Sequence, residues 1–241
     1  MRLPLKIGAI FLAPILTAAL VIFIFFPGLF TYIKVKHKYE NIDRTIPDFE
    51  PVSVPEDFEE YSCCDITFLA PADMKDVSNK MSSITKYQKG KQSVMVFDIS
   101  GTYDRIGVDL WSTQKYDKND YRHFFRSIDH EFPSTPSNML LWFEKGELNA
   151  KMCLHLRSED LLVFKEFAYD KNIAWNSEDT WKYNGNGFTC YVNHIYKSTT
   201  SGEMWTCLIY PDYNPYREIT IWIKNTDDNT ARQIASSIKL K

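Results

Sequence analysis

The sequence predicts an α+β protein in which an N-terminal transmembrane helix is followed by an antiparallel sheet flanked by helices. Three observations lead to this fold class. The chain carries no charged residue from Ile7 to Ile33. Its C-terminal third alternates apolar and polar residues at the period of β-strands, and apolar residues at helical spacing lie before and after those strands. Strands and helices grouped in separate runs are typical of the α+β class.

The apolar stretch is strongest from Ile7 to Phe26, which spans 20 residues. A helix rises about 1.5 Å per residue, so this length crosses a hydrocarbon core of about 30 Å. Basic residues lie on both sides, as expected at the two headgroup layers: Arg2, Lys6, Lys34, Lys36 and Lys38. The sequence therefore predicts single-pass attachment to a membrane through Ile7–Phe26.

Two other interpretations of this stretch stay open. A cleaved signal peptide has a shorter apolar region, and Phe26-Pro27-Gly28 is bulky for a cleavage site. A soluble core helix needs a polar face, whereas apolar residues cover every side here. Pro27-Gly28 is expected to end or kink the helix. The short N-terminal tail favours a signal anchor with an exported, extracytoplasmic domain, although the lysines after the span favour the opposite orientation.

The chain is predicted to have three parts: residues 1–38 with the tail, anchor and basic flank, residues 39–61 as an acidic stalk, and residues 62–241 as one globular domain. The stalk has a proline at every fourth position, which disfavours a helix and favours an extended spacer: Pro47, Pro51 and Pro55. Eight acidic residues and no Lys or Arg lie between residues 45 and 74. A solvated linker and an acidic docking arm both fit this composition.

The charge of the domain excludes one class of partner. The chain has 28 Lys and Arg and 31 Asp and Glu. Six of the basic residues but only two of the acidic residues lie within residues 1–46, so the remainder has a net charge of −7. Nucleic-acid binding depends on Lys and Arg that neutralise phosphates. The domain is therefore not expected to bind nucleic acid.

Strand and helix patterns can be assigned along the domain. Strands are predicted at Asp65–Ala70, Gln92–Ser100 and Ile106–Trp111, and an antiparallel meander at Phe188–Tyr196, Met204–Tyr210 and Arg217–Lys224. Helices are predicted at Asp117–Phe132, Ser137–Gly146, Ser158–Tyr169 and after Asp227-Asp228. In the last strand three isoleucines lie on one face, as in a strand that is buried on one side: Ile219, Ile221 and Ile223.

Two segments of the domain carry a resemblance to a known family. One is the strand that enters a proline, from Ile66 to Met74, and the other is the final strand and helix, from Ile219 to Lys239. They resemble the PsbP-like fold, the αβα sandwich of photosystem II extrinsic proteins and of many exported or lipid-anchored bacterial proteins. The resemblance covers roughly residues 62–241. It implies helices on both faces of the sheet and an accessory or protein-binding domain without a conserved catalytic centre.

No motif of a metal, cofactor or catalytic site is present in the sequence. The HExxH, paired CxxC, P-loop, GxGxxG, GxSxG and EF-hand patterns are all absent. We therefore predict no metal, no cofactor and no catalytic residue. Of the five histidines, His123 and His130 lie seven residues apart, too far along a helix to share one metal, and are interpreted as surface residues.

Two cysteines of the meander have two possible relationships. If the turn is centred on Ser198-Thr199, Cys190 and Cys207 lie directly opposite each other. If the loop is instead Thr199–Gly202, Cys207 faces His194. A disulfide between Cys190 and Cys207 and a pair of apolar core thiols are both open on this basis.

Aromatic residues concentrate in the meander and its loops. Five of them are predicted to form a partner surface: Tyr191, Trp205, Tyr213, Tyr216 and Trp222. Exposed aromatic rings mark surfaces that bind proteins or glycans. Trp222 lies on the strand face opposite the isoleucines, so it is either exposed or covered by a helix.

These observations favour a single-pass membrane protein whose domain is a non-catalytic binding or accessory module. Its partner would be a protein or a cell-envelope component. A membrane-bound hydrolase or a small-ligand sensor is the alternative, with a site built from residues far apart in the sequence. A cytoplasm-facing regulator of a membrane complex is a further alternative.

Overall fold

The computed structural model describes residues 3–79, 84–98, 116–133, 142, 145–196, 202–214 and 217–241. Side chains are described from Pro14 onward, except that of Ser158. These residues pack as two compact units. The helical unit consists of the described residues within 1–44, 111–133 and 141–173, and the sheet unit of those within 45–110 and 174–241.

The helical unit begins with two helices joined at a sharp bend. Helix α1 covers Leu3–Phe25 and helix α2 covers Pro27–Lys38. The chain bends by 95° between Pro14–Phe25 and Pro27–Lys38. Pro27 fits the first position of α2 because its missing N–H would have no helical partner there. The expectation that Pro27-Gly28 ends or kinks the helix is confirmed.

Helix α1 contains most of the apolar stretch that the sequence predicts as a transmembrane helix. Among the described residues, no single helix combines the length and the apolar composition that a membrane span requires. The bent pair formed by Pro14–Phe25 and Pro27–Lys38 meets both criteria together. The transmembrane helix and the single-pass attachment therefore stay predictions.

Three further helices are described between residues 116 and 177: α3 at Lys118–Ser127, α4 at Ala150–Cys153 and α5 at Ser158–Ser177. Asp117 caps α3 by accepting hydrogen bonds from the backbone N–H groups of Asn119 and Asp120. Helix α5 begins where the sequence predicts but runs eight residues past the predicted end at Tyr169. The helix predicted at Ser137–Gly146 lies largely outside the described residues.

Aromatic rings form the centre of the helical unit. Phe124 and Phe125 of α3 and Phe167 of α5 are each 0% exposed. The ring centroids of Phe124 and Phe167 are 5.0 Å apart. The apolar spacing predicted this buried face of α3, and the same spacing places Tyr121 on it.

The sheet unit contains two antiparallel sheets. The strands are β1 Phe58–Cys63, β2 Ile66–Pro71, β3 Lys75–Asp76, β4 Ile84–Lys89, β5 Gln92–Asp98, β6 Glu178–Gly185, β7 Phe188–Ile195, β8 Met204–Pro211, β9 Ile219–Lys224 and β10 Lys239–Leu240. The three-stranded sheet has the order β1-β2-β10, and the seven-stranded sheet has the order β3-β4-β5-β9-β8-β7-β6. Helix α6, at Asp228–Ser236, follows β9. The predicted meander and closing helix are confirmed.

The core of the sheet unit lies on one face of the seven-stranded sheet. Ile219, Ile221 and Ile223 are at most 1% exposed, in agreement with the predicted inward face of the last strand. They belong to one apolar cluster with Phe68 of β2 and Ile234 of α6. Alternation along each strand brings these side chains to the same face, so β2 and α6 complete the core.

The segment predicted as an acidic, extended stalk contacts the sheet unit in the structure. Phe49 is 4% exposed and belongs to the apolar core cluster of the sheet unit. Its backbone N–H donates to the carbonyl of Lys182, and Asp48 pairs with Lys182 as an isolated bridge. Strand β1 begins at Phe58, inside the predicted stalk. Two phenylalanines of the segment can bury apolar area on the sheet unit, which an acidic and proline-rich composition does not reveal.

The fold class is α+β, with antiparallel sheets and helices, as the sequence predicts. The predicted strand at Gln92–Ser100 is found as β5 and ends at Asp98 within the described residues. The predicted strand at Ile106–Trp111 lies outside them. The three-part division of the chain and the αβα sandwich stay predictions.

Candidate functional site

A cluster of polar and aromatic side chains lies where β7, β8 and the start of α6 meet. In the hairpin of β7 and β8, His194 pairs with Trp205. Gly202, which precedes the hairpin's second strand, has a φ of 67°, a backbone conformation that glycine adopts without strain. Because paired residues of antiparallel strands point to the same face, this register places the imidazole beside the indole.

Three rings are stacked across the sheet at this point. The His194 ring is 4.5 Å from the Trp205 ring and nearly parallel to it, at 6°. The Trp205 ring is in turn 5.6 Å from that of Trp181 on β6, at 10°. Trp205 is 3% exposed. The stack fixes the plane of the imidazole, and Nε2 is the ring atom that lies beside Glu203 and Asp228.

Two carboxylates face the His194 Nε2 atom. Glu203 Oε1 lies 2.8 Å from it and Asp228 Oδ1 lies 3.8 Å from it. Trp205 Nε1–H donates to the same Asp228 oxygen at 3.2 Å. The three atoms that could act as ligands all lie within 4.8 Å of one another. Among the described residues, this is the group of His, Cys, Asp and Glu side chains that could hold a metal ion.

The start of α6 positions Asp228. Asp227 is the N-cap, and its carboxylate accepts from the backbone N–H of Thr230 at 2.9 Å and from the Thr230 hydroxyl at 2.7 Å. These hydrogen bonds lower the pKa of Asp227, with the backbone N–H of Thr230 as the main cause. Asp227 is thus occupied by the helix cap, while the side chain of Asp228 is free to face the hairpin.

A second polar cluster surrounds Arg217 at the turn between β1 and β2. The guanidinium donates to Asp65 Oδ2 at 2.7 Å and to Asp98 Oδ2 at 2.8 Å. It also donates to the Cys64 carbonyl and to the Tyr213 hydroxyl. Cys64 and Asp65 both have positive φ, at 52° and 64°, which is the backbone of a tight two-residue hairpin. Arg217 therefore stabilises a turn in which Cys64 and Asp65 occupy positions that usually favour glycine.

The turn also carries two adjacent thiols. The side-chain hydrogen bond from Cys63 lowers the pKa of the Cys64 thiol to about 7. The same bond and burial raise the pKa of Cys63. Both residues are half-buried free thiols.

The five aromatic residues predicted as a partner surface lie in different environments. Tyr213 is 64% exposed, whereas Trp205 is buried in the ring stack. Tyr191 is half-buried beside Tyr210. Trp222 is half-buried, with the Phe97 ring 4.6 Å away and the Lys224 ammonium over its face. Tyr216 lies outside the described residues. Trp205 is therefore a core residue, because its ring is covered by His194 and Trp181.

The register of the β7–β8 hairpin lies between the two registers considered from the sequence. Cys190 pairs with Ile209, and Cys207 pairs with Val192. The two cysteines are consequently diagonal neighbours on the core face, rather than directly opposite each other. Both are free thiols and 0% exposed in the structure. Burial raises the pKa of Cys190 well above its usual value. The disulfide stays a prediction.

No protein-family model matches the chain, and no curated protein matches it. The likeness to the PsbP-like fold stays a resemblance in two short segments.

The sequence did not identify His194, Glu203 and Asp228 as a group. The side chain of His194 is 14% exposed and stacks on Trp205. The three residues come from a strand, a loop and a helix start, at spacings that match no metal motif. The signal that could have found them is the register of β7 and β8, which depends on the loop between the two strands.

Proposed function

We propose that this protein is attached to a membrane through α1 and that its sheet unit is a non-catalytic binding module for a protein or cell-envelope partner. On this proposal the sheet unit lies on the extracytoplasmic side. The proposal includes the PsbP-like αβα sandwich. It is supported by β9 and the α6 helix that follows it, because a final strand followed by a helix is one of the two segments that carry the resemblance.

The observation that carries the membrane attachment is the exposure of α1. Eight large apolar side chains between Ile15 and Phe25 are each 37 to 65% exposed. Six of them are consecutive, from Leu20 to Phe25, and successive residues of a helix are about 100° apart, so they point in every direction. A helix that is apolar on all sides needs an apolar environment around it. A hydrocarbon core supplies that environment.

Helix α2 has the character of a helix at the headgroup layer. Gly28, Tyr32 and Val35 are buried along one side of it. The last turn carries Lys36, His37 and Lys38, which are exposed. After a 95° bend, a helix that leaves the hydrocarbon runs along the membrane surface, where basic side chains contact anionic headgroups.

The binding role of the sheet unit is supported by Tyr213. Its ring is 64% exposed, and its hydroxyl accepts a hydrogen bond from Arg217 at 2.6 Å. An exposed aromatic ring whose position is fixed loses little freedom when a partner binds, which is typical of interface anchors. Replacing Tyr213 with alanine is expected to weaken partner binding, and replacing the exposed Tyr169 of the helical unit is the matched control.

Membrane attachment is tested by extracting membranes that contain the full chain with alkaline carbonate. The wild-type protein is expected to stay with the membranes. The double variant Leu16→Asp and Leu20→Asp is expected to be released, because each carboxylate in a hydrocarbon core costs about 2.5–3.5 kcal/mol. The matched control is Leu162→Asp with Ile173→Asp, which changes two exposed apolar residues of α5.

The control variant should behave as the wild type. Release of the wild-type protein by carbonate would contradict the attachment.

Orientation is tested separately by adding protease to intact cells. Cleavage within the sheet unit is expected, and complete protection would place the unit on the cytoplasmic side.

A further inference from the structure

The cluster of His194, Glu203 and Asp228 has the composition of a metal site. It offers one imidazole nitrogen and two carboxylate oxygens from three different elements. The sequence predicts no metal, and membrane attachment makes no use of these residues. We propose that His194, Glu203 and Asp228 bind a divalent first-row metal ion of the Zn²⁺ type.

The distances suit an ion of this size. Ligand nitrogen and oxygen atoms lie about 2.0–2.2 Å from Zn²⁺, so two ligands of a tetrahedral ion are about 3.4 Å apart. The two distances from His194 Nε2, 2.8 Å to Glu203 and 3.8 Å to Asp228, lie on either side of this value. Shifts of about half an ångström in the two carboxylates would bring both oxygens into range. Their side chains are 64% and 65% exposed and have room for such shifts.

The imidazole is already oriented for an ion. Its ring is held flat against Trp205, and Trp205 Nε1–H donates to Asp228 Oδ1 at 3.2 Å. The indole thus orients two of the three ligands. Groups that orient ligands in this way raise the affinity of metal sites, because less freedom is lost when the ion binds.

The donor set selects among ions. Imidazole is a good ligand for Zn²⁺ and its first-row neighbours, whereas Ca²⁺ prefers six to eight oxygen ligands. Three protein ligands leave at least one coordination position for water or for a group of a partner. The ion could therefore link the sheet unit to a carboxylate or a histidine of a partner.

The local charge favours a cation on balance. The amino end of α6 carries a partial positive charge of roughly half a unit, which opposes a cation. The carboxylates of Glu203 and Asp228 together carry about two negative charges, and the N-cap Asp227 adds a third nearby. The negative side chains therefore outweigh the end of the helix.

The test is a calorimetric titration. A chelator first removes bound metal from the full chain in detergent, and ZnCl₂ is then added while the heat of binding is measured. The wild type is expected to bind one Zn²⁺ at this site. Asp228→Asn keeps the shape of the side chain and the acceptor for Trp205, and His194→Gln removes the imidazole. Each variant is expected to weaken binding at least 10-fold. Asp212→Asn, an exposed carboxylate just after β8, makes the same charge change elsewhere and should bind as the wild type.

Cobalt separates this site from the cysteines. Co²⁺ bound to nitrogen and oxygen gives visible d–d bands without the near-ultraviolet band that thiolate ligands produce. We expect the d–d bands in the wild type and in Asp212→Asn, and their loss in Asp228→Asn. Equal binding of Zn²⁺ by the wild type and Asp228→Asn, binding that shows only the thiolate band, or no binding would overturn the proposal.

Discussion

The helical unit and the core cluster of the sheet unit differ in a buried side chain, that of a lysine. The core cluster of the sheet unit is apolar, with Ile221 at 0% exposure near its centre. The helical unit buries aromatic rings and, beside them, the full side chain of Lys171, which is also 0% exposed. The Lys171 ammonium donates to the carbonyls of Ile42 at 2.8 Å and Gly146 at 2.9 Å. Burial lowers its pKa to about 8.

This difference shows two ways of stabilising a core. An apolar core tolerates apolar side chains of suitable volume, and its stability follows the area and volume that are filled. A core that holds a lysine depends on particular acceptors at particular positions, because an unpaired buried group is costly. The sheet unit should therefore respond to changes of volume, and the helical unit to changes of hydrogen bonding.

The largest effect is expected from Ile221→Ala. The side chain is fully buried, so its truncation leaves a cavity and should destabilise the sheet unit by about 2–5 kcal/mol. Ile221→Val removes one methylene and should cost about 1 kcal/mol. Amide hydrogen exchange of β8 and β9 peptides measures both changes. Equal effects of the two variants would show that filled volume does not govern this core.

A smaller but more specific effect is expected from Lys171→Met. Methionine has a similar length and is apolar, so a core governed by volume would accept it. Because the Ile42 and Gly146 carbonyls would lose their donor, we expect a loss of about 1–3 kcal/mol in the helical unit. Thermal unfolding and hydrogen exchange of α5 report this loss.

Lys165→Met on the exposed side of α5 is the matched control, with an expected change within about 0.5 kcal/mol. If Lys171→Met left stability unchanged or increased it, the helical unit would follow the same rule as the sheet unit. The contrast between the two cores would then disappear.

The smallest effect concerns the pH dependence of the helical unit. Burial, and then the nearby charge of Glu166, raise the pKa of the Asp170 carboxyl from 3.8 to about 6. Between these values the folded protein holds the proton more tightly than the unfolded chain, so stability falls as the pH rises from 4 to 6. After allowance for solvent screening of this half-exposed group, we expect a loss on the order of 1 kcal/mol.

Asp170→Asn should remove this slope. Chemical denaturation of the full chain between pH 4 and pH 7 measures it, and Glu131→Gln at an exposed position serves as the control. A slope that persists in Asp170→Asn would assign the dependence to another carboxyl group.

Strands with strong apolar alternation could be predicted from the sequence, and polar strands could not. β7, β8 and β9 lie inside the seven-stranded sheet, and their alternating buried apolar residues belong to one core cluster. β1 and β6 were not predicted; both lie at sheet edges and carry several charged or polar residues. Edge strands keep such residues because charges hinder pairing with other chains. β4 is an interior strand, but its largely polar composition likewise gives no strand signal.

The candidate site and the polar core of the helical unit could not be predicted because both depend on distant positions. Lys171 meets carbonyls at residues 42 and 146, and Asp228 meets a hairpin that ends more than ten residues earlier in the sequence. No local period encodes such contacts. The Asp227-Asp228 pair predicts where α6 begins but not which of the two carboxylates caps the helix, which is that of Asp227.

The five free thiols have a kinetic consequence. Cys64, with a pKa of about 7 and a half-exposed side chain, is ionised in part at neutral pH and should react first with a thiol reagent. Cys153 in the helical unit and Cys190 with Cys207 in the sheet unit are fully buried. A reagent reaches them only when the surrounding unit opens, so each labelling rate measures the opening of its own unit. Labelling of Cys153 therefore reports the opening of the helical unit, and labelling of Cys190 and Cys207 reports the opening of the sheet unit.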